Sequence, residues 1–335
     1  MRIKMWHLSK KNEFKKSSMI LSQLDSDEVR ISFHYCGICG SDLSTYEGRR
    51  SSSYPKSLGH EFVALVDKVG NNVTCLRNGD VVVSDLNYRC NQCKQCNRSK
   101  SHLCEKGQIG KFTNRGFSTH ANINVNYLTK VNSNNLYPQY CFVEPLSCVI
   151  HAFNHAKLDD STNILVIGCG GLGTCMGLLL QDKQLSADIW DINTDRCNNL
   201  AKIMNQLKVT EPIKEFYDIV FDLTGSSDGL KVAISSTCRG GKLISMSHLD
   251  GYGTSNFLLP MLTRKDIWFI VSYLNGKKEN ITNAIELIDR VWTDKFDCLF
   301  SLNSILKLPS IFDNRRSSFA NKEILSLSDW HSRND

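Results

Sequence analysis

The chain has no hydrophobic run approaching the roughly 18 apolar residues that a membrane-spanning helix needs. Its first residues, Met1-Arg2-Ile3-Lys4-Met5-Trp6-His7, carry charge with no apolar segment behind them, which excludes a secretory signal of the usual kind. Nor does one sign of charge dominate. Against 40 Lys and Arg stand 34 Asp and Glu, for a net charge of +6. The basic residues are scattered rather than striped, so the footprint of a nucleic-acid-binding face is missing. Internal repeats, low-complexity tracts and linker-like segments are also absent. What remains is an ordinary globular composition, 335 residues and 41% hydrophobic, long enough for about two domains. The cytoplasm is the expected compartment, with neither membrane nor nucleic acid as a partner.

Cysteine is what the chain has in quantity, with 14 residues. In a secreted protein they would suggest disulfides; here their clustering favours metal ligation and reduced core thiols. Cys90-x-x-Cys93-x-x-Cys96-x₇-Cys104 places four thiolates in one loop. Zinc accepts four sulfurs tetrahedrally, and such closed sites are structural. Lys94, Arg98, Lys100 and Lys106 would offset the charge of a zinc tetrathiolate. A disulfide pair, or a knot that no longer holds metal, is the alternative. Cys36, Cys75, Cys141, Cys148, Cys169, Cys175, Cys197, Cys238 and Cys298 mostly lie in apolar stretches, where packing is their default role.

Two regions differ in pattern. In the first, Val29, Ile31, Phe33 and Tyr35 alternate with polar residues, while Phe62 to Val69 and Val81-Val82-Val83 are short apolar runs bounded by turns. This predicts a partly open β-barrel. From about residue 147 strands alternate with helices: Asn163 to Ile167, a helix over Leu172 to Gln184, Ala187 to Trp190, a helix over Thr194 to Gln206, then strands at Ile219 to Phe221, Lys242 to Met246 and Ile267 to Val271. That order predicts a parallel α/β sheet. The short stretch between Gln206 and Asp218 predicts a trimmed version of it. After a helix over Thr282 to Val291 the chain is expected to return to the first unit. The predicted division is 1–147 with 286–335, and 148–285.

Gly168-Cys169-Gly170-Gly171-Leu172-Gly173 matches G-x-G-x-x-G between a predicted strand and a predicted helix, the context that dinucleotide binding requires. Gly168 permits the turn, Gly170 admits the pyrophosphate, and Gly173 lets helix and strand pack closely. The helix N-terminus then faces the phosphates. Asp191 ends the next strand, where a carboxylate reads the ribose 2′-hydroxyl and repels a 2′-phosphate, favouring NAD over NADP. Arg196 softens that preference, and a turn or capping role for Asp191 stays open.

Cys36-Gly37-Ile38-Cys39-Gly40-Ser41-Asp42, Gly59-His60-Glu61 and Val143-Glu144-Pro145-Leu146 supply one thiolate, one imidazole and one or two carboxylates, the makings of an open zinc site. In order and spacing these motifs, the cysteine knot and the glycine loop resemble the zinc-dependent medium-chain dehydrogenase/reductase family, and within it the sorbitol dehydrogenase-like polyol branch. The resemblance covers nearly the whole chain; Gly79-Asp80, Gly116-Phe117 and Gly240-Gly241-Lys242 fall at the family's turns. It implies a GroES-like catalytic domain and a Rossmann NAD-binding domain, with one catalytic and one structural zinc per chain. Cys39 and His60 match the family's catalytic zinc ligands, and Glu144 the carboxylate of the polyol branch. Glu61 matches the adjacent glutamate, Asp42 the carboxylate that orients the ligand histidine, and Ser41 the hydroxyl that passes the substrate proton.

The implied reaction is hydride transfer between NAD(H) and a secondary alcohol or ketone of a polyol or sugar-type substrate, with zinc as Lewis acid. Charge counting suggests that Glu61 and Glu144 differ in role or exchange: with Cys39 and one carboxylate the zinc is neutral, with both it is anionic. The outer end of the proton relay is unassigned among Leu43, Ser44, Thr45 and Tyr46. By resemblance Tyr46 lies in the substrate-pocket loop with Arg49 and Arg50, which keeps a polyol phosphate or an (amino)cyclitol open as substrate. A non-catalytic zinc- and nucleotide-binding member is the remaining alternative. A homodimer or homotetramer is implied, built partly by pairing sheet edges.

Overall fold

The computed structural model describes residues 1–87, 89–106, 115–158, 162–246, 255–314 and 320–331. The predicted C-terminal limit, residue 335, lies outside them. In chain order the strands are β1 (Arg2–Lys10), β2 (Glu13–Ile20), β3 (Glu28–Gly37), β4 (Glu61–Val69), β5 (Val81–Ser84), β6 (His120–Asn124), β7 (Leu128–Lys130), β8 (Ile164–Ile167), β9 (Ala187–Trp190), β10 (Leu207–Val209), β11 (Tyr217–Asp222), β12 (Thr237–Ser245), β13 (Trp268–Val271), β14 (Phe300–Ser304) and β15 (Lys322–Ser326). The helices are α1 (Gly40–Tyr46), α2 (Lys94–Asn97), α3 (Val143–Phe153), α4 (Gly171–Asp182), α5 (Thr194–Ile203), α6 (Ser227–Ser236), α7 (Ser255–Lys265), α8 (Lys278–Val291), α9 (Leu308–Asn314) and α10 (Ser328–His331).

A seven-stranded sheet runs β14-β15-β3-β4-β5-β7, with β6 also paired to β3. Its backbone is β3, where Val29, Ile31 and Phe33 are fully buried and Arg30 and His34 are not. The second sheet has six strands in the order β10-β9-β8-β11-β12-β13, every pair parallel. All four residues of β8 are buried, as a strand covered by helices on both faces demands. The connection order reverses between β8 and β11, the place where open α/β sheets bind ligands. β10 is three residues long and is followed by β11 without a helix between them, the trimmed unit expected from the short stretch before Asp218.

After α8 the chain returns to the first sheet, where β15 pairs antiparallel with β3 through Ile324 and Gly37. α8 packs by its Ile281, Ala284, Ile285 and Ile288 stripe, the spacing of one helix face. Arg290 on α8 meets Asp182 of α4 at 2.8 Å, and Asp289 accepts the Tyr140 hydroxyl at 2.6 Å. The antiparallel hairpin β1–β2 was not legible in the sequence, because its lysines and serines hide the alternation. Leu8 and Phe14 nonetheless bury in the first sheet's core, and Ile3 is buried as well.

Candidate metal and dinucleotide site

β3 ends at Gly37, and two residues later Cys39 caps α1. Asp42, in the first turn, accepts the Cys39 backbone N–H at 3.1 Å through Oδ2. Its Oδ1 accepts the Gly59 N–H at 3.3 Å and lies 3.5 Å from His60 Nδ1. One buried carboxylate thus fixes both loops that present Cys39 and His60. Gly59 adopts φ +88°, and a Cβ there would sit 2.7 Å from the Phe117 ring, so the turn before His60 admits only glycine. His60 is further pinned by the Ser84 hydroxyl, which donates to its carbonyl.

The ligand atoms of Cys39, His60 and Glu61 all lie within 4.8 Å of one another. A soft thiolate, an imidazole and a carboxylate at this spacing fit zinc. Burial works against a charged His60, but the Asp42 and Cys39 charges outweigh it and raise the imidazole well above its usual range. Such a pull on a proton is equally a pull on a cation.

Glu61 has a partner that no motif announced. Lys322 Nζ donates to Glu61 Oε2 at 2.6 Å, and both side chains are 2% exposed. The slot exists because Gly37 lies directly across from Glu61 on β3; a Cβ there would come within 2.7 Å of Glu61 Oε2 and 2.8 Å of Lys322 Cε. Burial works against a charged Lys322, yet the Glu61 carboxylate raises it above the ordinary lysine range. Its ammonium also lies over the Phe142 ring, 5.4 Å from the centroid, and 3.4 Å from where a Gly171 Cβ would be. Lys322 therefore stands between the metal-ligating trio and the glycine loop.

Glu144 is not one of the three. It sits in the first turn of α3, buried, and one turn later the Cys148 thiol donates to its Oε1 at 3.5 Å. Burial first, then the charge of Glu61, against the opposing pull of His60, push it up to about 7. The metal-free native state therefore retains a proton that the unfolded chain releases near the ordinary value of 4.5. This contribution to stability is full below 4.5 and is lost as pH rises to about 7. Glu144→Gln is expected to remove that slope, which denaturant midpoints of the metal-free protein across this pH range measure. An identical slope in both proteins would refute the assignment.

Ser41 is half-buried in α1, beside Asp42, and its carbonyl accepts the Thr45 hydroxyl at 2.9 Å. Tyr46 does not face an open pocket. It is 5% exposed, its ring is stacked on Phe14 and edge-on to Phe312, and its hydroxyl donates to Asp313 at 2.6 Å. Arg49 is bound to Glu47 at 2.6 Å, so its charge already has a carboxylate partner.

The glycine loop follows β8. Gly168 has φ +101°, and a Cβ on Gly173 would meet the Gly168 carbonyl oxygen at 2.2 Å, so the loop can close on α4 only without side chains. Gly170 caps α4, and apart from its chain neighbours no atom comes closer than 3.9 Å to a notional Cβ there. Gly171 and Leu172 begin the helix, Leu172 against the core. Asp191 accepts two backbone N–H groups, from Cys169 at 2.7 Å and from Asn193 at 2.8 Å. It thereby joins the glycine loop to the end of β9, a turn role that occupies both of its oxygens. Asn193 caps α5, with Arg196 in that helix's first turn. Asn321 Nδ2 donates to the carbonyls of Cys169 at 2.6 Å and Arg196 at 3.1 Å. Asn321 and Lys322, adjacent in sequence, thus hold the two halves of the site together.

In the knot, all four cysteines are free thiols. The Cys90–Cys96 and Cys93–Cys104 sulfurs are 3.9 and 4.0 Å apart. Tetrahedral zinc with bonds of about 2.3 Å sets sulfurs about 3.8 Å apart, whereas a disulfide requires about 2 Å. Backbone N–H groups of Cys96 and Glu105 hold the Cys93 thiol down to about 6. Burial, by contrast, pushes the Cys96 thiol up to about 12, so it is the sulfur spacing that suits a metal thiolate cage.

Residues 25–133 match the alcohol dehydrogenase GroES-like domain. The chain is 29% identical over 241 residues to D-arabinitol dehydrogenase 1 of Uromyces fabae, covering 66% of this chain and 68% of that protein. It is 26% identical over 331 residues to sorbitol dehydrogenase of Bacillus subtilis, covering 86% and 93%. A zinc-binding dehydrogenase from Sinorhizobium meliloti 1021, solved with NADP bound, superposes with a TM-score of 0.84 at 18% identity, over 97% of this chain and 99% of that one.

Proposed function

Because the chain belongs to the zinc-dependent medium-chain dehydrogenase/reductase family, on its sorbitol dehydrogenase-like branch, we propose that it is an oxidoreductase transferring hydride between NAD(H) and a secondary alcohol or ketone of a polyol. The observation that carries this is the convergence of Cys39, His60 and Glu61 within 4.8 Å, one buried lysine away from a dinucleotide loop. When bound, a zinc ion supplies Lewis-acid polarisation of the substrate oxygen, and the nicotinamide takes or gives the hydride.

The protein's part is positioning. Cys39, His60 and Glu61 hold the metal, Asp42 orients His60, and Glu144 presents a buried carboxyl from α3. Ser41 takes the proton that the substrate hydroxyl releases. Gly168, Gly170, Gly171, Leu172 and Gly173 form the pyrophosphate cradle, with Asp191 and Arg196 at the ribose end. The anionic Asp191 favours NAD over NADP. Cys90, Cys93, Cys96 and Cys104 hold a second, structural zinc. Residues 1–147 with 286–335 carry the metals, and 148–285 the dinucleotide. A homo-oligomer forms by pairing of β13, an outer strand whose Trp268 and Val271 are 65% and 61% exposed. No helix among the described residues is long and apolar enough to cross a membrane.

The test combines metal analysis, light scattering and a panel of polyols, polyol phosphates and aminocyclitols with NAD and NADP, read by reduced-nicotinamide absorbance. We expect two zinc ions per chain, a dimer or larger assembly, and turnover of free polyols with NAD. Turnover confined to phosphorylated substrates would sink the polyol assignment. A single zinc held by the knot, with no turnover, would make the chain a non-catalytic member.

A further inference from the structure

We propose that Cys169 and Cys197 are a reversible oxidation site, a thiol pair that hydrogen peroxide converts to a disulfide and that thereby lowers dinucleotide affinity. Cys169 is the variable residue inside the glycine loop, and Cys197 lies on α5. They are 0% and 1% exposed, and their sulfurs are 3.2 Å apart. That is direct contact, well inside the spacing of the knot's thiols. No third metal-ligating side chain joins them within 4.8 Å among the described residues, so a metal does not account for the pair. A disulfide needs the sulfurs closer by about 1.2 Å. The backbone can supply this approach, because Cys169 is flanked by Gly168 and Gly170.

The chemistry balances with peroxide alone. One thiol gives up its proton, its thiolate attacks a peroxide oxygen, the O–O bond breaks, and a sulfenic acid is left with a hydroxide that takes that proton as the first water. The second sulfur displaces the sulfenic hydroxyl, the S–S bond forms, and the released proton completes a second water. Two thiols lose two electrons, and one peroxide becomes two waters. The hydrogen bond shared with Cys197 and then burial raise the Cys169 thiol well above its ordinary range. Oxidation is therefore slow and responds to sustained rather than brief exposure.

The consequence for binding rests on the dinucleotide reading above; the disulfide itself does not. Cys169 gives its N–H to Asp191 and its carbonyl to Asn321. Drawing its side chain towards α5 displaces a loop that must meet the pyrophosphate with its backbone. We expect NADH affinity to fall about tenfold, within the usual range of coupling between sites. By reciprocity, saturating NADH makes the pair harder to oxidise by the same factor, about 30 mV for a two-electron couple.

The experiment treats the full, zinc-loaded chain with peroxide, blocks remaining thiols and maps the peptides, with and without NADH. The expected product is a linked peptide containing Cys169 and Cys197, cleaved by dithiothreitol, absent from Cys197→Ser and slowed by NADH. Mapping the unsubstituted protein decides the matter even if that variant folds poorly. Both cysteines recovered as free thiols, Cys169 driven to the sulfinic acid, or linkage through other cysteines would overturn the proposal. NADH titration by fluorescence then compares oxidised with dithiothreitol-restored protein. Unchanged affinity in the linked form overturns the coupling. No NADH binding by the fully reduced protein overturns the dinucleotide reading, and the coupling with it, while the peptide map still decides the disulfide.

Discussion

Cys39→Ala and His60→Ala are each expected to cut turnover by about a thousandfold or more, since the Lewis acid they hold supplies several kcal/mol of charge stabilisation and about 4 kcal/mol corresponds to a thousandfold. Both side chains belong to the trio within 4.8 Å, so either loss leaves two ligands. The metal count is expected to drop from two per chain to one, the remainder in the knot. The thermal midpoint should move little, because the knot is a separate loop and Asp42 still bonds the Cys39 and Gly59 amides. A count of two with full activity would show that the catalytic site lies elsewhere, and loss of both metals would show that the knot is not independent of it. Asp42→Asn is the informative companion. It keeps one acceptor oxygen of the two that meet the Cys39 and Gly59 amides and removes the charge facing His60, so metal affinity should fall about 10- to 100-fold while the ligand set is intact.

Most of this site is legible in the sequence. The glycine loop, the cysteine knot and the Cys39–His60–Glu61 motifs are local, and each encodes its geometry in a few adjacent residues. β9 begins and ends where the sequence pattern placed it, and α4, α5 and α8 differ from expectation only at their ends. The pieces that were not legible depend on distant pairing. Lys322 sits at a charged strand start in Asn321-Lys322-Glu323, and nothing local says that β15 will bring its side chain beside Gly37 and Glu61. Tyr46 was expected at a pocket by resemblance, but Phe14 arrives from a hairpin the sequence had hidden and Phe312 from the far end of the chain, and together they enclose it. Cys148 read as packing alone, although α3 places it one helical turn from Glu144.

Lys322 also changes the charge count at the metal. With Cys39, Glu61 and Glu144 all ionised, a dication would sit in an anionic site, which from sequence suggests that the two glutamates differ in role or exchange. The ammonium 2.6 Å from Glu61 brings that total to neutral, so both carboxylates can stay ionised around a bound dication. Removing it should therefore be costly. Lys322→Met leaves Glu61 buried and unpaired, and breaking such a pair from one side costs about 3–5 kcal/mol. We expect that loss in denaturant unfolding of the metal-free protein, where no cation can stand in for the ammonium. Glu61→Gln combined with Lys322→Met removes both charges and is expected to recover most of the stability, because a well-packed neutral pair is often no worse than the ion pair it replaces. The double variant should nevertheless stay impaired in turnover, since one metal-facing carboxylate is gone. Zinc should partly rescue the single variant, as a cation that meets Glu61 from the other side. If Lys322→Met matched the parent protein in stability without metal, the buried pair would not be formed, and the bridge between metal site and glycine loop would fall with it.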